Sequence, residues 1–324
     1  MNDRRVLITG GSGLLGSHLT EELLNRGADV TLLIRDWIPE SRLFREAITN
    51  PCNIVRGDVR DYDVIARILN EYDITHVFHL AAQTQVTYAN RSPLETFDTN
   101  VMGTAILLEA VRNASWVQKI VVASSDKAYG NAEAPYKEST PLQGRYPYDC
   151  SKSCADLISQ SFLETYSIPV VITRCANLFG EGDLNWNRLI PSTIRSIVTG
   201  EPVTLRSDGK MVREFLYVKD AVSAYLTLAD SDQTGTFNIG YNQQYSVLEV
   251  VSFIASLMNY HGKVETLNSA KNEILVQGMD SSKFMNAFKF NPLYGFHEGL
   301  RKTINWYMRI LEGDTEGIDN ESAS

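Results

Sequence analysis

Arg5-Val6-Leu7-Ile8-Thr9-Gly10-Gly11-Ser12-Gly13-Leu14-Leu15-Gly16 is the stretch that decides the fold. Its first five residues are apolar and β-branched, the pattern of a buried strand, and they run straight into three spaced glycines. Beyond the glycines the spacing turns helical. Leu15, Leu19 and Leu23 form an apolar stripe, and Gly27 stands where a helix ends. A second apolar run, Val30 to Ile34, follows. Three glycines alone would also suit a tight turn. Between a strand and a helix, however, they expose the backbone N–H groups of a helix N-terminus to an anion, which is how a dinucleotide pyrophosphate is held. Gly10, Gly13, Leu14, Leu15 and Gly16 are therefore expected to bind the cofactor.

The remainder of the first half repeats the unit. Asn53 to Val59 is expected as a third strand with a polar turn, Asp61 to Glu71 as an amphipathic helix, and Thr75 to Ala82 as a fourth strand. A long helix from Pro93 to Arg112 and a fifth strand, Ile120 to Ser125, come next. Regular alternation of strand and helix predicts a Rossmann-like, doubly wound parallel sheet of the α/β class. Small residues at the end of the fourth strand, Leu80-Ala81-Ala82, suit close approach of a ligand at the carboxyl end of the sheet. His76 and His79 are three apart on a strand and so face opposite ways, which excludes a shared metal.

With 324 residues, 44% of them apolar, the chain is long enough for a dinucleotide domain plus a smaller lobe. The formal charge of −9 makes nucleic acid an unexpected partner and leaves any anionic ligand to a few local cations and helix termini. No stretch is apolar enough to span a membrane, and the first strand starts so close to Met1 that no signal peptide is expected, so the cytoplasm is the expected location. Cys52, Cys150, Cys154 and Cys175 show no metal-ligand spacing, and no metal site is expected. The residues after Leu311 are polar and acidic, and 312–324 is expected to be a disordered tail.

Chemistry concentrates at the end of the fifth strand and on the helix after it. Ser124-Ser125-Asp126-Lys127 places hydroxyls, a carboxylate and an ammonium at the carboxyl end of a central strand. Tyr148 and Lys152 are four apart and share one helical face. A lysine beside a phenol favours phenolate, which makes Tyr148 a candidate general base with a lowered pKa. Later, Val170 to Asn177 is expected as a sixth strand, Thr236 to Gly240 as another, and Ser246-Val-Leu-Glu249 as a capping box opening a helix to about Tyr260.

The glycine turn, Ser125 and the Tyr148/Lys152 pair together resemble the extended short-chain dehydrogenases/reductases of the NAD-dependent epimerase/dehydratase family. The similarity runs over nearly the whole chain. It implies that Ser125, Tyr148 and Lys152 are catalytic and that Asp58 and Val59 meet the adenine, with capping of the next helix as the plainer role for Asp58. It further implies that Asn100 supports the cofactor, and that Gln83, Asn177, Arg188, Leu189 and Arg213 line a nucleotide-sugar site. Arg188 and Arg213 are the candidate diphosphate clamps, since arginine reads phosphate bidentately. The implied organisation is a dinucleotide-binding domain at 1–176 with a return segment near 210–232, and a sugar-nucleotide lobe at 177–311.

Within such a family the residues after the Ser/Thr separate chemistries, and Asp126-Lys127 resembles the acid–base pair of 4,6-dehydratases, especially the branch acting on CDP-glucose. The implied reaction oxidises C4 of a nucleotide hexose, eliminates water across C5 and C6 and returns the hydride to C6. Asp126 is then the acid, and Lys127 either a desolvated base or an enolate stabiliser. The cofactor, NAD or NADP, is expected to stay tightly bound and be recycled. Ile34 stands where NAD enzymes carry an acid, and Arg35 and Asp36 follow, so Arg35 is expected to tolerate or favour a 2′-phosphate. A homodimer is expected through helices at 96–111 and 157–166, which carry apolar residues on more than one face. An epimerase of the same fold is the alternative, with a non-enzymatic nucleotide-binding relative as a further one.

Overall fold

The computed structural model describes residues 4–267 and 274–311; the acidic tail expected at 312–324 lies outside the described residues. The strands are β1 (Arg5–Thr9), β2 (Asp29–Ile34), β3 (Asn53–Arg56), β4 (His76–His79), β5 (Lys119–Ala123), β6 (Val170–Cys175), β7 (Asn177–Phe179), β8 (Val203–Leu205), β9 (Val212–Tyr217), β10 (Gly235–Ile239), β11 (Gln244–Ser246) and β12 (Val264–Thr266). Seven of them form one parallel sheet in the order β10-β6-β5-β4-β1-β2-β3. The order reverses between β1 and β4, so a crevice opens there at the carboxyl ends of the strands.

Alternation along each strand explains why both sheet faces are apolar. Val6 and Ile8 of β1 join one core and Leu7 the opposite one; on β5, Val121 goes to the first and Ile120 and Val122 to the second. The first core continues beyond the sheet through Phe179, Phe215, Tyr217 and Phe296, so the cofactor half and the later half of the chain share one apolar interior. The return segment is longer than 210–232, because β10 at Gly235–Ile239 also joins the sheet, at its edge.

Two expected elements are broken for physical reasons. The strand expected from Val170 to Asn177 splits at Ala176: β6 stays in the large sheet, while β7 pairs with β9, where the Asn177 amide donates to Glu214 O at 2.9 Å. The helix expected from Pro93 to Arg112 is interrupted by a π-turn at Asp98–Met102 between Pro93–Phe97 and Gly103–Arg112. Such turns are uncommon and often sit at working sites. Here it carries Asn100. By contrast the capping box at Ser246/Glu249 is present and opens a helix at Val247–Leu257.

Candidate active site

The glycine turn has the shape an anion site requires. Gly10 adopts φ +78°, and a Cβ there would lie 2.7 Å from Ala81 N; a Cβ on Gly16 would lie 2.2 Å from Gly10 O. Both positions are closed by the protein's own backbone, the end of β4 crossing over Gly10. Gly13 differs: its Cβ would meet only Gly10 O, at 3.3 Å, and would otherwise enter the open space over the helix Leu14–Asn25. That helix has no side-chain cap and no acid in its first turn, so its N–H groups and dipole are left for a ligand phosphate. Leu14 and Leu15 open it, Leu15 packing into the core.

Polar side chains fix the neighbouring strand ends. Thr9 Oγ1 accepts the N–H groups of Leu80 and Ala81, both at 3.2 Å, and contacts His79 Nδ1 at 2.9 Å. His79 Nε2 meets Thr104 at 3.0 Å; burial lowers this histidine to about 3, so it is neutral and structural. Beyond Ala82, Gln83 is gripped by Asn100, which accepts the Gln83 N–H at 2.7 Å and donates to its carbonyl at 3.0 Å. The same Asn100 amide donates to Ser151 at 2.9 Å, on the helix Pro147–Tyr166. The π-turn thus ties β4 to the helix that carries Tyr148 and Lys152.

At the end of β2, Arg35 and Asp36 are exposed and bound to each other at 2.7 Å. Trp37 stacks on Phe44, with the Arg56 guanidinium 5.6 Å over its ring. Asp58 is bound to Arg60, which donates to Oδ1 at 3.0 Å and to Oδ2 at 2.7 Å and holds the carboxyl below its usual range. Asp58 does not cap the next helix. Asp61 does, accepting Val64 N–H at 3.1 Å. Val59 is buried under Gly103, whose missing side chain makes room for it.

The reacting groups meet beyond β5. Ser125 caps a short 3-10 turn, Asp126–Tyr129; its hydroxyl accepts Lys127 N–H at 3.2 Å and donates to Asp126 Oδ1 at 3.0 Å. Lys127 Nζ lies 3.8 Å from Asp126 Oδ2 and donates to Gln277 Oε1. Tyr148 is buried and hydrogen-bonded to Ser125. Burial pushes its phenol up to about 12, against the opposing charge of Arg188 and the Ser125 bond. Lys152 is not among the groups that shift it, contrary to expectation: its ammonium donates to Ala123 O at 2.7 Å, and burial lowers it to about 8. The cation that bears on the phenol is Arg188.

Arg188 precedes the helix Leu189–Thr199, bonded to Asp183 at 3.1 Å and Leu178 O at 3.3 Å, while Leu189 packs against the core. Arg213 on β9 donates to Val212 O at 2.8 Å, and its charge acts on Tyr136, which also feels Asp126. Asn177 is bonded to β9 as described above. Both arginines therefore border the Asp126 and Tyr148 cluster from the later half of the chain.

Four residues at this site have no signal at the motif level. Gln277 arrives because residues 275–280 run beside β9 and Tyr136, with Gln277 N–H on Val212 O at 3.0 Å and Tyr136 N–H on Gly278 O at 2.9 Å. Glu214, fully buried, accepts the N–H groups of Asn242 and Met279. Tyr136 and Asp149 complete the group. Only Asp149 had a nearby cue, its position directly after Tyr148.

The model of the NAD dependent epimerase/dehydratase family matches residues 6–240. A dTDP-glucose 4,6-dehydratase of Xanthomonas campestris pv. campestris is 30% identical, over 93% of this chain and 92% of its own. The structure of a dTDP-glucose 4,6-dehydratase from Bacillus anthracis in complex with NAD superposes with a TM-score of 0.85 at 27% identity, covering 97% of this chain and 98% of that one. A UDP-N-acetylglucosamine 4-epimerase from Methanobrevibacter ruminantium M1 reaches a TM-score of 0.87 at 30% identity, covering 97% and 100%. A family match over most of the chain, on a sheet whose switch point holds the glycine turn, makes this protein a member of the NAD-dependent epimerase/dehydratase family.

Proposed function

We propose that the protein is a nucleotide-hexose 4,6-dehydratase. The observation that carries the reading is the pair Asp126 and Lys127, 3.8 Å apart beyond β5 and beside Ser125 and Tyr148. An epimerase needs a phenol and a hydroxyl at C4 but has no use for a second acid and base there. In this reading residues 1–176 hold the cofactor, and 177–311 hold the sugar nucleotide, with Arg188 and Arg213 on its diphosphate.

Gly10, Gly13, Gly16 and the following helix turn would hold the pyrophosphate of the nicotinamide cofactor, which when bound supplies the hydride acceptor and donor. Tyr148, with Ser125 against its oxygen, takes the proton of the C4 hydroxyl as that carbon is oxidised. The 4-ketone acidifies the C5–H. Lys127 as amine takes that proton, and the ammonium so formed then lies against the enolate charge. Asp126 protonates the C6 hydroxyl as it leaves. Lys127 returns its proton to C5 when C6 is reduced. The site is expected to keep its cofactor through the cycle, in the cytoplasm, and Arg35 to admit NADP. The substrate base is read as cytidine from the Ser125-Asp126-Lys127 string, with thymidine, the base in the relatives above, as its competitor.

The test is product analysis with a panel of CDP-, dTDP- and UDP-glucose. Turnover in heavy water should put deuterium at C5, and label at C4 should arrive at C6 of a 4-keto-6-deoxy sugar. Asp126→Asn should oxidise C4 and then stall, with reduced cofactor accumulating. A product that keeps its C6 hydroxyl and is inverted at C4 would make the protein an epimerase.

A further inference from the structure

Asp126 is drawn by its contacts into the ionised form. It is buried, it accepts the Ser125 hydroxyl at 3.0 Å, and Lys127 Nζ stands 3.8 Å away. A general acid must nevertheless be protonated at the start of each turnover, and a buried one cannot draw freely on bulk water. The site holds a second carboxyl. Asp149 follows Tyr148 in the first turn of the helix Pro147–Tyr166, and only 7% of it is exposed.

Among the described residues no hydrogen bond donor is found for the Asp149 carboxylate; what bears on it is burial first, then the charges of Lys127 and Asp126 from the turn beyond β5. Tyr136, in the loop after that turn, and Tyr148, on its own helix, face it in return. A buried carboxylate without a donor is costly when ionised and inexpensive when protonated. Burial accordingly pushes Asp149 up to about 6. Two neighbouring carboxyls and one ammonium thus differ in role: Asp126 has the partners of an anion, and Asp149 has the surroundings of an acid.

Building on the dehydratase reading, we infer that Asp149 is the proton store of the elimination step, recharging Asp126 after each departure of the C6 hydroxyl. The step balances. The C5–H electron pair becomes the C5–C6 double bond as the C6–O bond breaks, the C5 proton goes to the Lys127 amine, and the Asp126 proton leaves in water. Asp126 regains a proton from Asp149, and Asp149 refills from solvent. That uptake matches the proton which Tyr148 releases from the C4 hydroxyl, so the turnover is neutral overall. Asp149 touches no reacting atom and acts through Asp126.

Stopped-flow absorbance of the reduced nicotinamide separates the steps, using the holoenzyme and whichever of CDP-, dTDP- or UDP-glucose it turns over. The signal rises with C4 oxidation and falls once elimination allows C6 to be reduced. In the wild type the fall should slow as pH rises through a limb that belongs to Asp149. Asp149→Asn should keep the rise, slow the fall at least about tenfold and lose the limb. Asp149→Glu should restore the fall with the limb moved along the pH axis, which a purely structural role would not do. An Asn variant with the wild-type fall and limb, or a Glu variant whose limb does not move, overturns the inference. A wild type that gives only a C4-inverted product overturns the dehydratase reading, and this inference with it.

Discussion

Replacing Asp156 by alanine should come close to unfolding the protein, although Asp156 touches no reacting atom. Its carboxylate receives Arg174 Nε and Nη2, each at 2.8 Å, the Ser124 hydroxyl at 2.6 Å and Gln160 at 2.7 Å. The two side chains are 0% and 2% exposed, so the variant leaves a guanidinium in the core without its counter-ion. Breaking such a buried pair costs about 3–5 kcal/mol. The orphaned Ser124 hydroxyl adds about 1 kcal/mol or more, while Arg174 Nη1 keeps Tyr129 and Glu138 O as acceptors and softens the loss. The sum, about 4–5 kcal/mol, is a large part of the 5–15 kcal/mol typical of a folded domain. The consequence reaches the active site, because this pair anchors the helix bearing Tyr148 and Lys152 to β6 and to the residue before Ser125. Urea unfolding followed by tryptophan fluorescence measures it. Asp156→Leu combined with Arg174→Met removes the charge together with its partner and should recover all but about 2 kcal/mol. A single alanine variant that loses under about 1 kcal/mol, or a double variant less stable than the single one, would refute the reasoning.

Gly16→Ala must push Gly10 and Gly11 backbone atoms aside, so NAD affinity by fluorescence titration should fall at least about tenfold; an unchanged Kd contradicts the tight turn described above. Asp149 prefers its proton in the fold, at about 6 against a usual 3.8, so its contribution to stability is complete below about pH 4 and is lost as pH rises through 6. The loss amounts to about 3 kcal/mol by pH 8, and Asp149→Asn should be the more stable protein there by chemical denaturation; a parallel pH course for both argues against a protonated Asp149. Arg35→Ala should weaken NADP and spare NAD, and equal affinities for both forms in the variant and the wild type would remove Arg35 from cofactor choice. Met102 and Leu157 are half exposed on the helices expected to pair two chains, so light scattering at micromolar concentration should give twice 36.3 kDa and Leu157→Asp a monomer; a wild-type monomer refutes the dimer.

Much of this protein is written locally. The glycine turn, the alternation of strand and helix, the capping box and the Tyr148/Lys152 spacing each depend on neighbours within a few residues, where backbone sterics and side-chain period dominate. Reading them gives the parallel sheet, the cofactor turn and the place of Ser125, Asp126 and Tyr148. What the chain alone could not give are properties that arise when distant segments meet. The Tyr148 phenol is governed by its burial and by Arg188, forty residues away, rather than by the lysine four residues on. Asn177 is drawn out of β6 by a carbonyl on β9, and Gln277 reaches Lys127 only because residues 275–280 run alongside β9. The charge state of Asp149 depends on how much water the assembled site excludes, a quantity no residue type or spacing encodes. Local pattern fixes which groups the chain carries, and the tertiary fold, by setting dielectric and partners, decides which of them hold protons.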